Sequence, residues 1–190
     1  MNRRSTTTLF ALITLILIPL IQPVKAGWDP REERGSSNSN TGNRSVDEAI
    51  NRLKTKDPSL KLFFSKAYGY AIFPTVGKAG MGLGGAYGEG EVYRQGRFIG
   101  TSSLSQLTIG FQLGGQAYTE IIFFKDKHSL DDFTSGNFEF NAQASAVAVT
   151  AGASVDADYD NGVAIFTMPK GGLMYEATIG GQKFSFDPAR

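Results

Sequence analysis

The sequence contains no cysteine. That excludes disulfide staples, a thiol nucleophile, thiolate metal sites and an acylated lipoprotein cysteine, so the core must hold unaided. Histidine is nearly as scarce. His128 is the only one, and a catalytic triad or an imidazole metal site would have to be built around it. Its neighbours Lys125, Asp126, Lys127 and Asp131 read instead as a solvated helix entry. A large basic excess is also missing, with 19 Lys and Arg against 18 Asp and Glu. Duplex binders normally carry far more, so nucleic acid is not expected as a partner. No apolar run reaches the roughly 20 residues that span a bilayer.

What is present begins with a targeting pattern. Arg3 and Arg4 form a basic start, residues 9–21 an apolar stretch, and Val24-Lys25-Ala26 places small residues where a signal peptidase reads. Residues 1–26 are therefore expected to be a cleaved signal peptide, and the mature protein to be periplasmic or secreted. Residues 27–44 are polar, rich in Ser, Asn and Gly, and without periodicity; they read as a disordered leader. Residues 45–190 are then one domain's worth of chain.

Charge is unevenly placed along that domain. Arg44, Arg52, Lys54, Lys56, Lys61 and Lys66 face only Asp47, Glu48 and Asp57 over residues 44–66, whereas residues 67–190 hold eight basic and twelve acidic residues. The basic end is also the helical end. Ser45-Val46-Asp47-Glu48 fits a capping box, with Val46, Ala49, Ile50 and Leu53 at helical spacing. Asp57-Pro58 restarts a helix, with Asp as N-cap and Pro at the first position, and Leu60, Phe63, Phe64 and Ala67 form its stripe. Both stripes are expected to pack on a sheet.

From Tyr68 the pattern turns to strands: 68–73, closed by Pro74; a Gly-rich strand to Tyr93; a hairpin turn at Arg94-Gln95-Gly96; and 107–124 as two strands or one bent. Ser129 is expected to cap a short helix over 129–133. Strands over 138–153, 163–168 and 173–178 follow, with a last one ending near Phe186. Gly80, Gly82, Gly84, Ala86, Gly88 and Gly90 leave one strand face almost bare, and Ala142, Ala144, Ala146, Ala148 and Gly152 repeat the device. Glycine gives a strand nothing to pack, so something must approach that face closely. The fold class expected is α+β: N-terminal helices packed on a strongly curved, Gly-rich, mainly antiparallel sheet, sandwich- or barrel-like.

Motifs for chemistry fail on context. Gly80-Met81-Gly82-Leu83-Gly84-Gly85 satisfies G-x-G-x-x-G, but the chain continues as a strand and carries no carboxylate about twenty residues on, so a dinucleotide is not expected. Asp156-x-Asp158-x-Asp160 resembles the start of a calcium loop. Its glycine falls late, at Gly162, and Thr167 stands where a bidentate Glu belongs, leaving at most weak calcium binding. Glu89 and Glu91 share a strand face, as paired carboxylates or as an exposed strand end. No acid–base or nucleophile set emerges, and no catalysis or cofactor is expected. Lys54, Lys56, Lys61 and Lys66 with Phe63 or Phe64 could hold anionic lipid if the aromatics are free to insert; otherwise they are the solvated face of core-packed helices.

Four ordered stretches resemble the SYLF domain family. They are Ala67-Tyr68-Gly69-Tyr70-Ala71-Ile72-Phe73-Pro74, followed by the Gly-rich run 77–90; Gly110-Phe111-Gln112-Leu113-Gly114-Gly115-Gln116; Lys170-Gly171-Gly172-Leu173-Met174-Tyr175-Glu176; and Gly180-Gly181-Gln182-Lys183-Phe184. The resemblance implies lipid binding, notably of phosphoinositides in eukaryotic members, through a basic amphipathic N-terminal helical segment that here is residues 45–66. It also implies actin binding in the yeast branch, which does not suit an exported bacterial protein. Bacterial members are exported envelope proteins, often lipoproteins, and this chain departs there by lacking the acylation cysteine. Two functions are expected to compete. One is a lipid-binding module docking anionic phospholipid through Arg52, Lys54, Lys56, Lys61, Lys66 and Lys78. The other is a non-catalytic structural or protein-interaction domain with an envelope protein as partner.

Overall fold

The computed structural model describes residues 39–141, 144–171 and 179–190. The expected signal peptide (1–26), most of the leader, Ala142 of the small-residue run and the strand expected at 173–178 lie outside the described residues. Among the described residues three helices and six strands follow in the order α1 (Ser39–Lys56), α2 (Leu60–Lys66), β1 (Gly69–Arg94), β2 (Arg97–Phe124), α3 (Lys127–Thr134), β3 (Phe138–Glu139), β4 (Val147–Ala148), β5 (Val163–Gly171) and β6 (Lys183–Pro188). The fold is α+β with a strongly curled sheet.

The sheet is dominated by one very long antiparallel hairpin. β1 and β2 pair from Gly69↔Phe124 at the base to Arg94↔Arg97 at the tip, with register shifts at Phe73/Val76, Gly80/Gly82 and Val92/Tyr93. Gln95 (φ 51°) and Gly96 (φ 76°) make the two-residue turn, the positive-φ geometry that matches strand twist. The tip then returns to its own base. The Gln95 amide donates to the Tyr68 carbonyl at 3.0 Å, and a Cβ on Gly69 would lie 2.6 Å from the Tyr93 carbonyl oxygen. β1 is thus rolled onto itself, and its halves meet at the Gly88 and Gly90 end of the bare strand face. A Cβ on Gly90 would strike the Ile72 carbonyl and the Phe73 ring, and one on Gly88 would sit 2.9 Å from the Val76 side chain.

Pro74 does not end the first strand. It sits at the Phe73/Val76 bulge, a position where a missing donor does no harm, and its carbonyl accepts from Thr119 Oγ1 at 2.9 Å. The outer edge of β2 is shared: β5 pairs with its base half and β6 with its tip half. β4 joins β5 in parallel and β3 joins β6.

Two cores result. Inside the roll lie Ala71, Phe73, Val76, Val92, Leu104, Tyr118, Ile122, Phe124, Phe133 and Phe184, among others. Between the helices and the outer face of the sheet lie Val46, Ala49, Leu53, Leu60, Phe63, Ile72, Ile121, Phe123 and Phe166. Alternate residues of 71–73 and 121–124 serve opposite cores, which is why these segments are apolar without interruption.

Several expectations need correction. Helix α1 begins at Ser39, six residues before the capping box at Ser45, so the leader turns helical before residue 44. The cap of α3 is Asp126, whose side chain accepts from the Ser129 amide, not Ser129 itself. The described residues of 138–153 are not one continuous strand. Phe138–Glu139 and Val147–Ala148 are short strands within it, and small side chains let the residues between and after them be laid down as a packed connection. Ala144 and Ala146 touch the interior core, and Val149 the helical one.

Candidate functional site

α1 and α2 lie over the outer face of the sheet, and their apolar stripes are consumed there. Val46, Ala49, Leu53 and Leu60 are buried. Phe63 is also buried, edge-on to Phe166 at 4.9 Å, and Phe64 meets Phe123 at 4.9 Å and Tyr70 at 5.3 Å. Neither phenylalanine is free to enter a membrane. The exposed apolar side chain of this end is Leu62, 56% accessible between Lys61 and Phe63. Sequence periodicity gives it no weight, since it falls off the stripe.

The cationic residues divide into three groups. Arg52, Lys56, Lys61 and Lys66 are exposed, and among the described residues the ion pairs are Lys127–Asp131, His128–Asp132 and Lys183–Glu139, none involving them. Lys54 leans over the Phe64 ring at 4.2 Å, which holds its charge beside the helix surface. Lys78 does not join the set. It is buried and pairs opposite Gln116 two positions from the interior pair Val76↔Tyr118. By strand alternation it faces into the roll, and burial pushes its pKa down.

Asp57, between the two helices, acts as a latch. Its Oδ1 accepts from the Ser59 amide (3.1 Å), the Ser59 hydroxyl and the Gly152 amide (3.2 Å). Its Oδ2 accepts from the Ser154 amide at 2.8 Å, and the Ser59 and Ser154 hydroxyls meet at 2.7 Å. Burial alone would raise its pKa, but these donors outweigh it and bring the carboxyl to about 2. The latch ties the helical end to the 151–154 turn. Near it the surface dips into a shallow, open depression lined by Asn51, Arg52, Thr55 and Lys56 of α1, by Ala151 and by the largely buried Met168.

A second polar cluster lies inside the roll. Gln182 Nε2 donates to the Tyr118 hydroxyl (3.2 Å) and to Glu120 Oε2 (3.0 Å), and all three side chains are buried. Burial raises the Glu120 pKa to about 8, against the opposing Gln182 hydrogen bond. Gln106 Nε2 grips the Gly180 carbonyl at 2.9 Å, so the turn at 179–182 bridges both halves of β2. The only sequence signal for this cluster is a lone carboxylate in the apolar run Tyr118-Thr119-Glu120-Ile121-Ile122.

The remaining candidates for chemistry are dispersed. His128 is exposed on α3 beside Asp132. Glu89 and Glu91 each accept from a tyrosine hydroxyl, Tyr87 at 2.8 Å and Tyr93 at 2.5 Å, and do not pair with each other. Asp160 accepts from Asn161 and Asp158 from the Tyr159 amide. Among the described residues no three His, Cys, Asp or Glu side chains converge on a point that could hold a metal. No described helix is long and apolar enough to cross a membrane.

Known proteins share this chain's pattern. Residues 105–189 match the family model Ysc84, described as "Las17-binding protein actin regulator". The chain is 32% identical over 148 residues to Beta cell expansion factor A of Aeromonas veronii, covering 76% of this chain and 56% of that protein. It therefore spans little more than half the length of that relative.

Proposed function

The chain carries a domain of the Ysc84 (SYLF) family over residues 105–189, and from that premise we propose that it is an exported module that docks reversibly on anionic phospholipid through its helical end. The family is associated with lipid binding and is a family of binding domains. The observation that carries the reading is the exposed set Arg52, Lys56, Lys61 and Lys66, without carboxylate partners among the described residues, together with exposed Leu62, which lies on α2 with Lys61 and Lys66. Each cation near an anionic surface contributes about 1 kcal/mol, and burying Leu62 about 1.5–3 kcal/mol. The total resembles the marginal, reversible membrane affinity of a single acyl chain. It is also salt-sensitive, because exposed charges are screened beyond about 8–10 Å at physiological ionic strength.

Export through residues 1–26 puts that surface in the periplasm; fractionation and N-terminal sequencing of the mature protein check it. Phosphoinositides share the headgroup charge that such a surface reads. The competing reading, a structural or protein-interaction domain, loses one support. The bare face at Gly88 and Gly90 is filled by the chain's own residues and is closed to a partner.

Cosedimentation with phosphatidylglycerol vesicles at low salt tests docking. Binding should fall with added salt and with Lys61→Glu plus Lys66→Glu, and should be absent on phosphatidylcholine. No cosedimentation at low salt would remove the reading.

A further inference from the structure

The turn at 179–182 is fastened to the sheet through a carboxyl group. Glu120 stands at the centre of that fastening, with Phe73 of β1 and Thr167 of β5 opposite it. Strand ladders thus wall it in on two sides, and Gln182 of the turn meets it from a third. Ile179 and Gln182 are fully buried. Two glutamine side chains hold the turn to β2: Gln182 reaches Tyr118 and Glu120, and Gln106 reaches the Gly180 carbonyl. The turn is also tied to Phe140, whose amide donates to the Gln182 carbonyl at 3.0 Å and whose carbonyl accepts from the Gly181 amide at 2.9 Å.

The hydrogen bonds of this fastening lack one donor. The Gln182 amide and the Glu120 carboxyl are joined by one arm, Nε2 to Oε2 at 3.0 Å. The other arm of each group, Oε1 in both, is buried without a partner among the described residues. Two acceptors cannot satisfy each other. A proton on Glu120 Oε1 supplies the missing donor, since a carboxylic acid can return a hydrogen bond to an amide oxygen. Without it, the carboxylate is an ion with a single hydrogen bond in an apolar interior, which costs more than the fold can hold in place unaided. We propose that Glu120 and Gln182 form a proton-dependent clasp: the acid–amide pair holds the 179–182 turn shut, and loss of the proton lets the turn lift and water reach the buried Tyr118–Glu120–Gln182 cluster. The turn yields and the walls do not, because β1, β2 and β5 would have to break ladder bonds and the turn belongs to no strand.

The other groups around Glu120 do not share the role. Tyr118, on its own strand, stays neutral, because burial and the neighbouring Glu120 push its pKa up. Phe73 of β1, Thr167 of β5, and Phe140 and Gln182 at the turn carry no ionisable group for this range. Lys78 shares the interior face of β1 but stands opposite Gln116, four positions from Glu120 along β2, and burial lowers its pKa. Burial keeps the Glu120 proton in place up to about pH 8, so the clasp is closed at neutral pH.

Amide hydrogen exchange of the full chain from pH 5 to 9, corrected for the intrinsic base-catalysed rate, tests the clasp. Opening by this route releases one proton, so the Gly181 and Gln182 amides should exchange about tenfold faster for each pH unit, levelling off near pH 8. They should also exchange far ahead of the Ile121 and Ile122 amides of β2, which report opening of the whole domain. Glu120→Gln cannot ionise and should keep the turn amides free of that pH dependence. Turn and β2 amides exchanging at the same rate at every pH would mean that the turn opens only by global unfolding, and would overturn the proposal. So would fast exchange at the turn with no dependence on pH beyond the intrinsic one. A dependence that survives in Glu120→Gln and is lost in Lys78→Gln would assign the proton to Lys78 and overturn it as well. The wild-type series decides the first two outcomes by itself, so the test stands even where a variant fails to fold.

Discussion

Replacing Glu120 by Gln should make the protein more stable at alkaline pH and remove most of the pH dependence of its stability between pH 5 and 8. Glu120 sits on β2 between Phe73 of β1 and Thr167 of β5, fully buried. One carboxyl oxygen accepts from Gln182, and the other has no hydrogen-bond partner among the described residues. Burial raises the pKa from 4.5 to about 8. The folded state therefore retains a proton over this range that the unfolded chain has lost. Stability should fall as pH rises from about 4.5 and level off above about 8, where both states are ionised. Each pH unit between the unfolded and folded pKa is worth about 1.4 kcal/mol, so the wild-type protein loses on the order of 4 kcal/mol across the window. At about 2–4 °C per kcal/mol for a domain of this size, that is a Tm drop of roughly 10 °C. Gln keeps the acceptor for Gln182 and never ionises. Thermal melts of both proteins at half-unit steps from pH 5 to 9 measure the effect. A Tm difference between variant and wild type that stays constant with pH would refute the assignment of a buried, protonated Glu120.

Three further outcomes follow from other contacts. Asp57→Asn should destabilise by about 2 kcal/mol at neutral pH, the linkage value of a carboxyl brought from 3.8 to about 2. Its depressed pKa means that the wild-type advantage is full above pH ~4 and disappears as pH falls toward 2, which acid-induced unfolding monitored by circular dichroism will show. Gly90→Leu should cost at least ~1–3 kcal/mol by overpacking, since its Cβ would meet the Ile72 carbonyl. The folded fraction should keep its vesicle affinity, because Gly90 lies on β1 and the exposed cations lie on the helices. Lys61→Glu plus Lys66→Glu, both exposed, should leave stability within about 0.5 kcal/mol of wild type and reduce phosphatidylglycerol cosedimentation; unchanged cosedimentation would shift the contact to the α1 side.

What the residues fix by themselves is local. Alternation at 80–90 announces a strand with a bare face, and Arg94-Gln95-Gly96 a hairpin turn. The helical stripes of α1 and α2 name their buried residues, from Val46 to Phe63. These rest on periodicity and backbone preference, which act between neighbours in sequence. The absence of cysteine and the single histidine narrow the chemistry before any fold is known. The rest depends on which distant segments meet. Nothing local says that β1 returns on itself so that Gly90 lies against Ile72, that Lys78 turns inward, or that Phe64 is held by Tyr70 and Phe123. The same holds for Asp57, which reads as a simple helix cap until Gly152 and Ser154 arrive across the fold, and for Glu120, whose proton is decided by burial. A side chain's polarity is written in the sequence, but its dielectric surroundings and its partners are set by packing, and only the tertiary structure decides those.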